Sequence, residues 1–133
     1  MRIEDCKLFR SECYIDGRWT AALDGGTLSV TNPATGQAIG TVPNCGAKET
    51  SLAISSAFRA MAAWQELPPL ARGEYLHALF RLIKDNVDDL AAILTLEQGK
   101  PLAEARGEIL QGASYFPWFA EESRRLYGRV IPS

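Results

Sequence analysis

The sequence lacks most of the features that announce a function. Its 133 residues hold no apolar run approaching the ~18 residues that a membrane span needs. Charge of one sign is missing too: 14 basic against 16 acidic residues leave a net charge of -2. Without a basic field or a polybasic stretch, neither nucleic acid nor a membrane surface is an expected partner. Histidine occurs once, at His77, and cysteine three times, at Cys6, Cys13 and Cys45. Those spacings match no zinc or redox motif, and a four-ligand site would need all of these residues from distant places. The three thiols are therefore expected to be free, reduced and inert. No G-x-G-x-x-G lies between a strand and a helix, and Gly99-Lys100 lacks the earlier glycine of a phosphate loop. The start, Met1 to Cys6, has no apolar core of a secretory signal, so a cytoplasmic location is expected.

What is present suits one compact domain, at ~100–200 residues each, with an ordinary 47% of hydrophobic residues. The first third is rich in turn residues and β-formers. In Tyr14-Ile15-Asp16-Gly17-Arg18-Trp19 an Asp-Gly pair between hydrophobic flanks predicts a hairpin. Leu28 to Val30 and Ala38 to Val42 read as short strands, separated by the reversal Asn32-Pro33-Ala34-Thr35-Gly36 and ended by Pro43.

Beyond Gly46 the periodicity turns helical. Lys48 to about Ala63 sets Ile54, Ala57, Phe58 and Met61 on one face, and Pro68-Pro69 stop the run. A second helix from about Leu70 turns Leu76, Leu79, Phe80 and Ile83 inward. Asn86 or Asp88 can cap a third, with Leu90, Ile93, Leu94 and Leu96 as its apolar set and Gly99 as its C-terminal cap. A fourth, about 101 to 127, aligns Leu102, Ala105, Ile109, Ala113, Phe116 and Ala120, and Pro117 predicts a kink or break in it. Val130 to Ser133 looks like a strand cut short. Strands followed by helices cannot build a parallel sheet, so this reading expects a part of something larger.

The side chains alone leave function open. Glu97, Glu104 and Glu108 suit a general base or a cation site, or simply a solvated helix flank. His77 suits a structural role, and Trp64 and Trp118 suit core or interface packing.

The order of motifs says more. Tyr14-Ile15-Asp16-Gly17-Arg18-Trp19, then Asn32-Pro33-Ala34-Thr35-Gly36-Gln37 with Ile39 and Val42-Pro43, resembles the opening of the aldehyde dehydrogenase superfamily. The helix with Ala53, Ala57, Ala60 and Trp64, and Arg72 in the next, fit as well. Most specific is Thr95-Leu96-Glu97-Gln98-Gly99-Lys100-Pro101-Leu102-Ala103-Glu104-Ala105. With Gly107-Glu108-Ile109, Trp118 to Glu122 and Tyr127-Gly128 before Ile131-Pro132, it is similar to bacterial succinate-semialdehyde dehydrogenases and their glutarate-semialdehyde relatives.

The resemblance implies an α/β parent enzyme with a Rossmann-like cofactor domain, of which residues 1–133 are the N-terminal part. Strands at about 13–43 and four helices at about 47–128 make this segment mainly α, with the catalytic and oligomerisation domains absent. It further implies an oligomeric, NAD- or NADP-dependent oxidation of succinate semialdehyde, or a close semialdehyde, to the acid. In the family a cysteine thiolate attacks the aldehyde to give a thiohemiacetal, hydride passes to the nicotinamide, and a glutamate-activated water releases the product. None of those catalytic or cofactor residues has a counterpart here, so the segment alone is expected to be inactive and to bind no cofactor. Two weaker correspondences are carried over. A monovalent cation site would use backbone oxygens of Val30 and Thr31 with Glu97, unless Glu97 merely hydrogen-bonds the strand turn. The face with Gly107, Gln111 and Tyr115 would flank the substrate entrance, or pack on another domain. A different class of reading is a stand-alone, non-catalytic helical module that binds a partner or the parent enzyme.

Overall fold

The computed structural model describes residues 2–125, 127, 128 and 131. Four short strands precede four helices: β1 (Cys13–Ile15), β2 (Arg18–Thr20), β3 (Thr27–Thr31), β4 (Ala38–Pro43), α1 (Ala47–Gln65), α2 (Pro69–Asp85), α3 (Val87–Gln98) and α4 (Leu102–Glu122). The strands form two separate antiparallel hairpins, β1–β2 and β3–β4.

In the first hairpin, Asp16 and Gly17 both take positive φ, 53° and 76°. That is the pairing a type I′ turn demands, and it matches the twist of the flanking strands. Tyr14 then faces Trp19 across the ladder, ring centroids 5.1 Å apart. The Asp16 carboxylate accepts from Ser56 Oγ at 2.7 Å and pairs with Arg59 at 3.3 Å, which docks this hairpin on α1. The second hairpin skips Ile39, since Val30 pairs with Gly40 and Thr31 with Ala38, leaving a bulge beside the turn.

The helices stop where local chemistry says they should. Gly99 at φ 78° caps α3, its amide bonded to the Thr95 carbonyl at 2.9 Å. Two expectations need correcting. Asn86 stands at the N-cap position of α3, but its side chain turns back to the Leu82 carbonyl and makes no cap bond. The break expected at Pro117 does not occur, because α4 continues through it to Glu122. Ala113 and Ala120, buried on either side of the proline, hold both halves of the helix in one packed stripe. The helix also ends earlier than 127. There Ser123 Oγ donates to the carbonyls of Ala120 and Pro69, at 2.7 and 3.1 Å, and a 3₁₀ turn replaces the last α turn. The expected strand at Val130 to Ser133 lies outside the described residues, apart from Ile131.

α4 lies between α2 and α3 and packs on both. The predicted stripe on α4 is the seam except at Leu102, which is exposed, with Ala105, Ala113 and Ala120 at 0%, 1% and 2% exposure. α3 buries Leu96 as expected, together with Val87, Ala91 and Ala92, while Leu90, Ile93 and Leu94 are half-buried. Among the described residues no large side chain is fully buried. A seam of methyl groups gains about 0.8 kcal/mol per CH₂-sized group, against about 1.5–3 kcal/mol for a buried leucine. α1 contributes little apolar burial: Ile54, Met61 and Phe58 are all exposed, the last at 72%. The accessible surface totals 9837 Å², whereas a compact monomer of 14.6 kDa exposes about 6,900 Å².

Polar contacts fasten the periphery. Glu49, 8% exposed, accepts from the Leu23 amide at 2.7 Å and the Gly46 amide at 3.0 Å. These bonds, the Leu23 amide first, hold its carboxyl below the ordinary glutamate value of 4.5. A group with a depressed folded pKa contributes stability above the unfolded value, and that contribution disappears as pH falls through the folded one. Glu49→Gln should therefore lower the Tm at neutral pH, and the gap to wild type should narrow as the solution is taken below pH 4.5. Parallel acid limbs for the two proteins would show that Glu49 has no such role.

Candidate functional site

The two landmarks of the sequence meet at one corner of the fold. The turn after β3 is closed from within. Asn32 N donates to the Gln37 carbonyl, Ala34 N to Asn32 Oδ1, Thr35 N and Gly36 N to the Asn32 carbonyl, and Gln37 N to Thr35 Oγ1. Against this turn lies the end of α3. A Cβ placed on Gly99 would stand 2.9 Å from Pro33 Cγ and 3.4 Å from the Ala34 amide nitrogen. Only glycine satisfies the left-handed cap and this approach together.

Of the three cation candidates, Val30 is half-buried beside the bulge, Thr31 ends β3, and Glu97 is exposed two residues before Gly99. Because every amide from Asn32 to Gln37 already has an acceptor within the turn, none is left for Glu97. Its carboxylate stays uncommitted to that turn. Among the described residues no group of three or more His, Cys, Asp or Glu side chains could hold a metal ion. A cation here would thus rest on main-chain oxygens and one carboxylate, a donor set of hard oxygens.

Gly107, Gln111 and Tyr115 lie at four-residue steps and share one exposed face of α4, opposite the buried alanines. A Cβ at Gly107 would meet nothing within 4 Å, and Ser114 Oγ donates to the Gln111 carbonyl at 2.7 Å. Trp118, 66% exposed, and Phe119 extend the apolar character of this surface. Trp118 is therefore not core; nor is Trp64, also exposed, whose ring meets Tyr75 at 5.4 Å between centroids.

The remaining candidates make contacts within the fold or lie on its surface. His77 Nε2 lies 3.3 Å from Glu121 Oε1, joining α2 to α4. Glu108 pairs with Lys100, Arg106 pairs with Asp88, and Glu104 is exposed on the same helix flank. Sequence reasoning missed three arrangements. The Asp89 carboxylate accepts the amides of Lys7 and Leu8, at 2.9 and 2.7 Å, and straps the N-terminal segment to α3. Glu49 is the buried charged side chain described above. Cys13 and Cys45 come together with sulfurs 3.8 Å apart. Apart from the Glu49 bond to Gly46, each joins groups far apart in sequence, which no local pattern reports.

The geometry thus offers a turn–helix corner and an open helix face. The model of the aldehyde dehydrogenase family matches residues 19–133. The chain belongs to that family. It is 52% identical over 132 residues to the glutarate-semialdehyde dehydrogenase of Pseudomonas putida, covering 99% of this chain and 28% of that protein. To the succinate-semialdehyde dehydrogenase (NADP(+)) GabD of Escherichia coli it is 49% identical, covering 99% of this chain and 27% of that one. A crystal structure of an NADP-dependent enzyme of E. coli superposes with a TM-score of 0.91 at 50% identity, over 95% of this chain and 26% of that one. This aldehyde dehydrogenase chain accordingly spans about a quarter of the length of the relatives it matches. The helical segment with short preceding strands is part of the aldehyde dehydrogenase fold, as expected. Among the described residues no helix is long and apolar enough to cross a membrane.

Proposed function

We propose that this chain is the N-terminal part of the cofactor-binding domain of an NAD(P)-dependent aldehyde dehydrogenase. The intact enzyme oxidises succinate semialdehyde, or the closely related glutarate semialdehyde, to the carboxylic acid. The observation that carries this reading is the similarity over 99% of the chain to enzymes named for those two substrates. The excess of exposed surface and the bare apolar face of α1 support it, because such faces call for a further layer of protein. In this reading dinucleotide binding falls to the rest of the enzyme.

Within that division of labour this chain supplies scaffold and one wall. Gly107, Gln111 and Tyr115 form a flank of the substrate entrance, where a small residue leaves room and an aromatic ring limits it. Val30 and Thr31, through main-chain oxygens, and Glu97, through its carboxylate, hold a monovalent cation at the corner between β3 and α3. Such a cation would tie strand to helix without reacting.

The test is direct. The 133-residue chain, mixed with succinate semialdehyde and either NAD or NADP, should give no reduced nicotinamide above the protein-free rate. The intact enzyme carrying this segment should oxidise succinate or glutarate semialdehyde. Turnover by the chain alone would overturn the division of labour, and an intact enzyme inert to both semialdehydes would overturn the substrate class.

A further inference from the structure

Cys13 opens β1, and Cys45 sits between β4 and α1, 32 residues further on. Both are half-buried free thiols with sulfurs 3.8 Å apart, whereas Cys6 is buried within the N-terminal segment. The backbone on both sides is held. Thr20 Oγ1 donates to the Cys13 carbonyl at 3.2 Å, Asn44 N to the Gly26 carbonyl at 2.8 Å, and Gly46 N to Glu49 Oε2 at 3.0 Å. The Asp16–Ser56 bond already fixes the same hairpin to the same helix. The thiol contact is therefore set by two anchored elements and not by a loose end. Closing it requires the sulfurs to approach from 3.8 Å to about 2.05 Å. We propose that Cys13 and Cys45 are a thiol pair that closes to a disulfide on reaction with a low-molecular-weight disulfide, fastening the first hairpin to the start of α1.

The exchange balances without any other reagent. One protein thiolate attacks a sulfur of the small disulfide, forming a mixed disulfide and expelling one small thiolate, which takes up the proton. The second protein thiolate then attacks the protein-side sulfur and expels the other small thiolate. Two protein thiols are oxidised to one S–S bond, and one small disulfide is reduced to two thiols. Burial, the hydrogen bond with Cys13 and the nearby Glu49 and Asp24 carboxylates raise the Cys45 thiol above its ordinary range. This site is independent of the dehydrogenase reading, since it needs no substrate or nicotinamide.

The experiment treats the native protein with oxidised glutathione, alkylates the remaining thiols, and maps tryptic peptides. The expected product joins peptide 11–18 to peptide 19–48 and has lost two hydrogen atoms, with Cys6 alkylated. Reduction with dithiothreitol should reverse it. Cys6→Ser should keep the link; Cys13→Ser and Cys45→Ser should each stop at a glutathione adduct on the surviving partner. The same reaction in denaturant should scatter linkages among all three cysteines. Glutathione adducts on Cys13 and Cys45 that never resolve, or native linkages that include Cys6, would overturn the proposal. A Cys13–Cys45 link that forms only in denaturant would do the same.

Discussion

Gly99→Val should lower the Tm of the protein by about 10 °C. Valine in the left-handed region costs about 1–2 kcal/mol from its own backbone. Its Cβ would also stand where Pro33 Cγ is 2.9 Å away, and so close a contact forces the turn aside. Overpacking of that kind adds about 1–3 kcal/mol. For a domain of this size a loss of 1 kcal/mol moves the Tm by about 3–5 °C, and the two costs act together. Differential scanning calorimetry reads the shift. Gly99→Ala, with less to displace, should fall between wild type and Gly99→Val. If the turn–helix corner holds a cation, sodium or potassium should raise the wild-type Tm over choline at equal ionic strength, and should no longer do so in Gly99→Val. A valine variant that melts with wild type would mean that the turn is not seated on α3.

Ala120→Leu should be nearly as severe. Ala120 is buried beside Gly73 of α2: a Cβ on Gly73 would lie 3.3 Å from the Ala120 carbonyl oxygen and 3.7 Å from its Cβ. Three added carbons have no space there, and a helix pair closed on glycine and alanine must separate to admit them. The cost is about 1–3 kcal/mol, a large share of the about 5–15 kcal/mol that stabilises a native domain. Ala103→Leu, on an exposed turn of the same helix, is the matched control and should change little. Equal melting of the two variants would relocate the core away from this crossing.

These two sites mark how much of the fold the sequence carried. Turn chemistry was legible because a residue type answers one local demand. Asp16-Gly17 needed only its flanks to predict the hairpin, and Gly99 followed by Pro101 needed only the apolar run before it to predict the end of α3. The α4 stripe was legible for the same reason, since three- and four-residue spacing reports a face. What escaped were outcomes decided by distant neighbours. Pro117 breaks no helix because alanines on both sides of it pack elsewhere in the chain. Asn86 makes no side-chain cap because its amide already serves Leu82. The exposure of Phe58 and Trp118 also escaped, since an apolar face reads identically whether or not a partner covers it.

The candidate site was legible only in outline. Gly107, Gln111 and Tyr115 were placed on one helix face by spacing, and they do share one. That Glu97 finds no free main-chain amide in the adjoining turn depends on the hydrogen bonds of Asn32 to Gln37, which the composition of that turn suggests but does not count out.

The alanine seam has a consequence for how the helices keep their alignment. Large side chains mesh like gear teeth, so a helix cannot slide along its neighbour without climbing over them. Methyl groups offer no such teeth, and α4 could glide a fraction of a turn along α2 with little change in contact. Alignment then falls to a few polar pins: Ser123 Oγ on the Pro69 carbonyl at 3.1 Å, and His77 against Glu121 at 3.3 Å. Both pins sit toward one end of α4; the opposite end, which carries Gly107, is tied instead to α3 and the turn before α4, through Arg106 with Asp88 and Glu108 with Lys100.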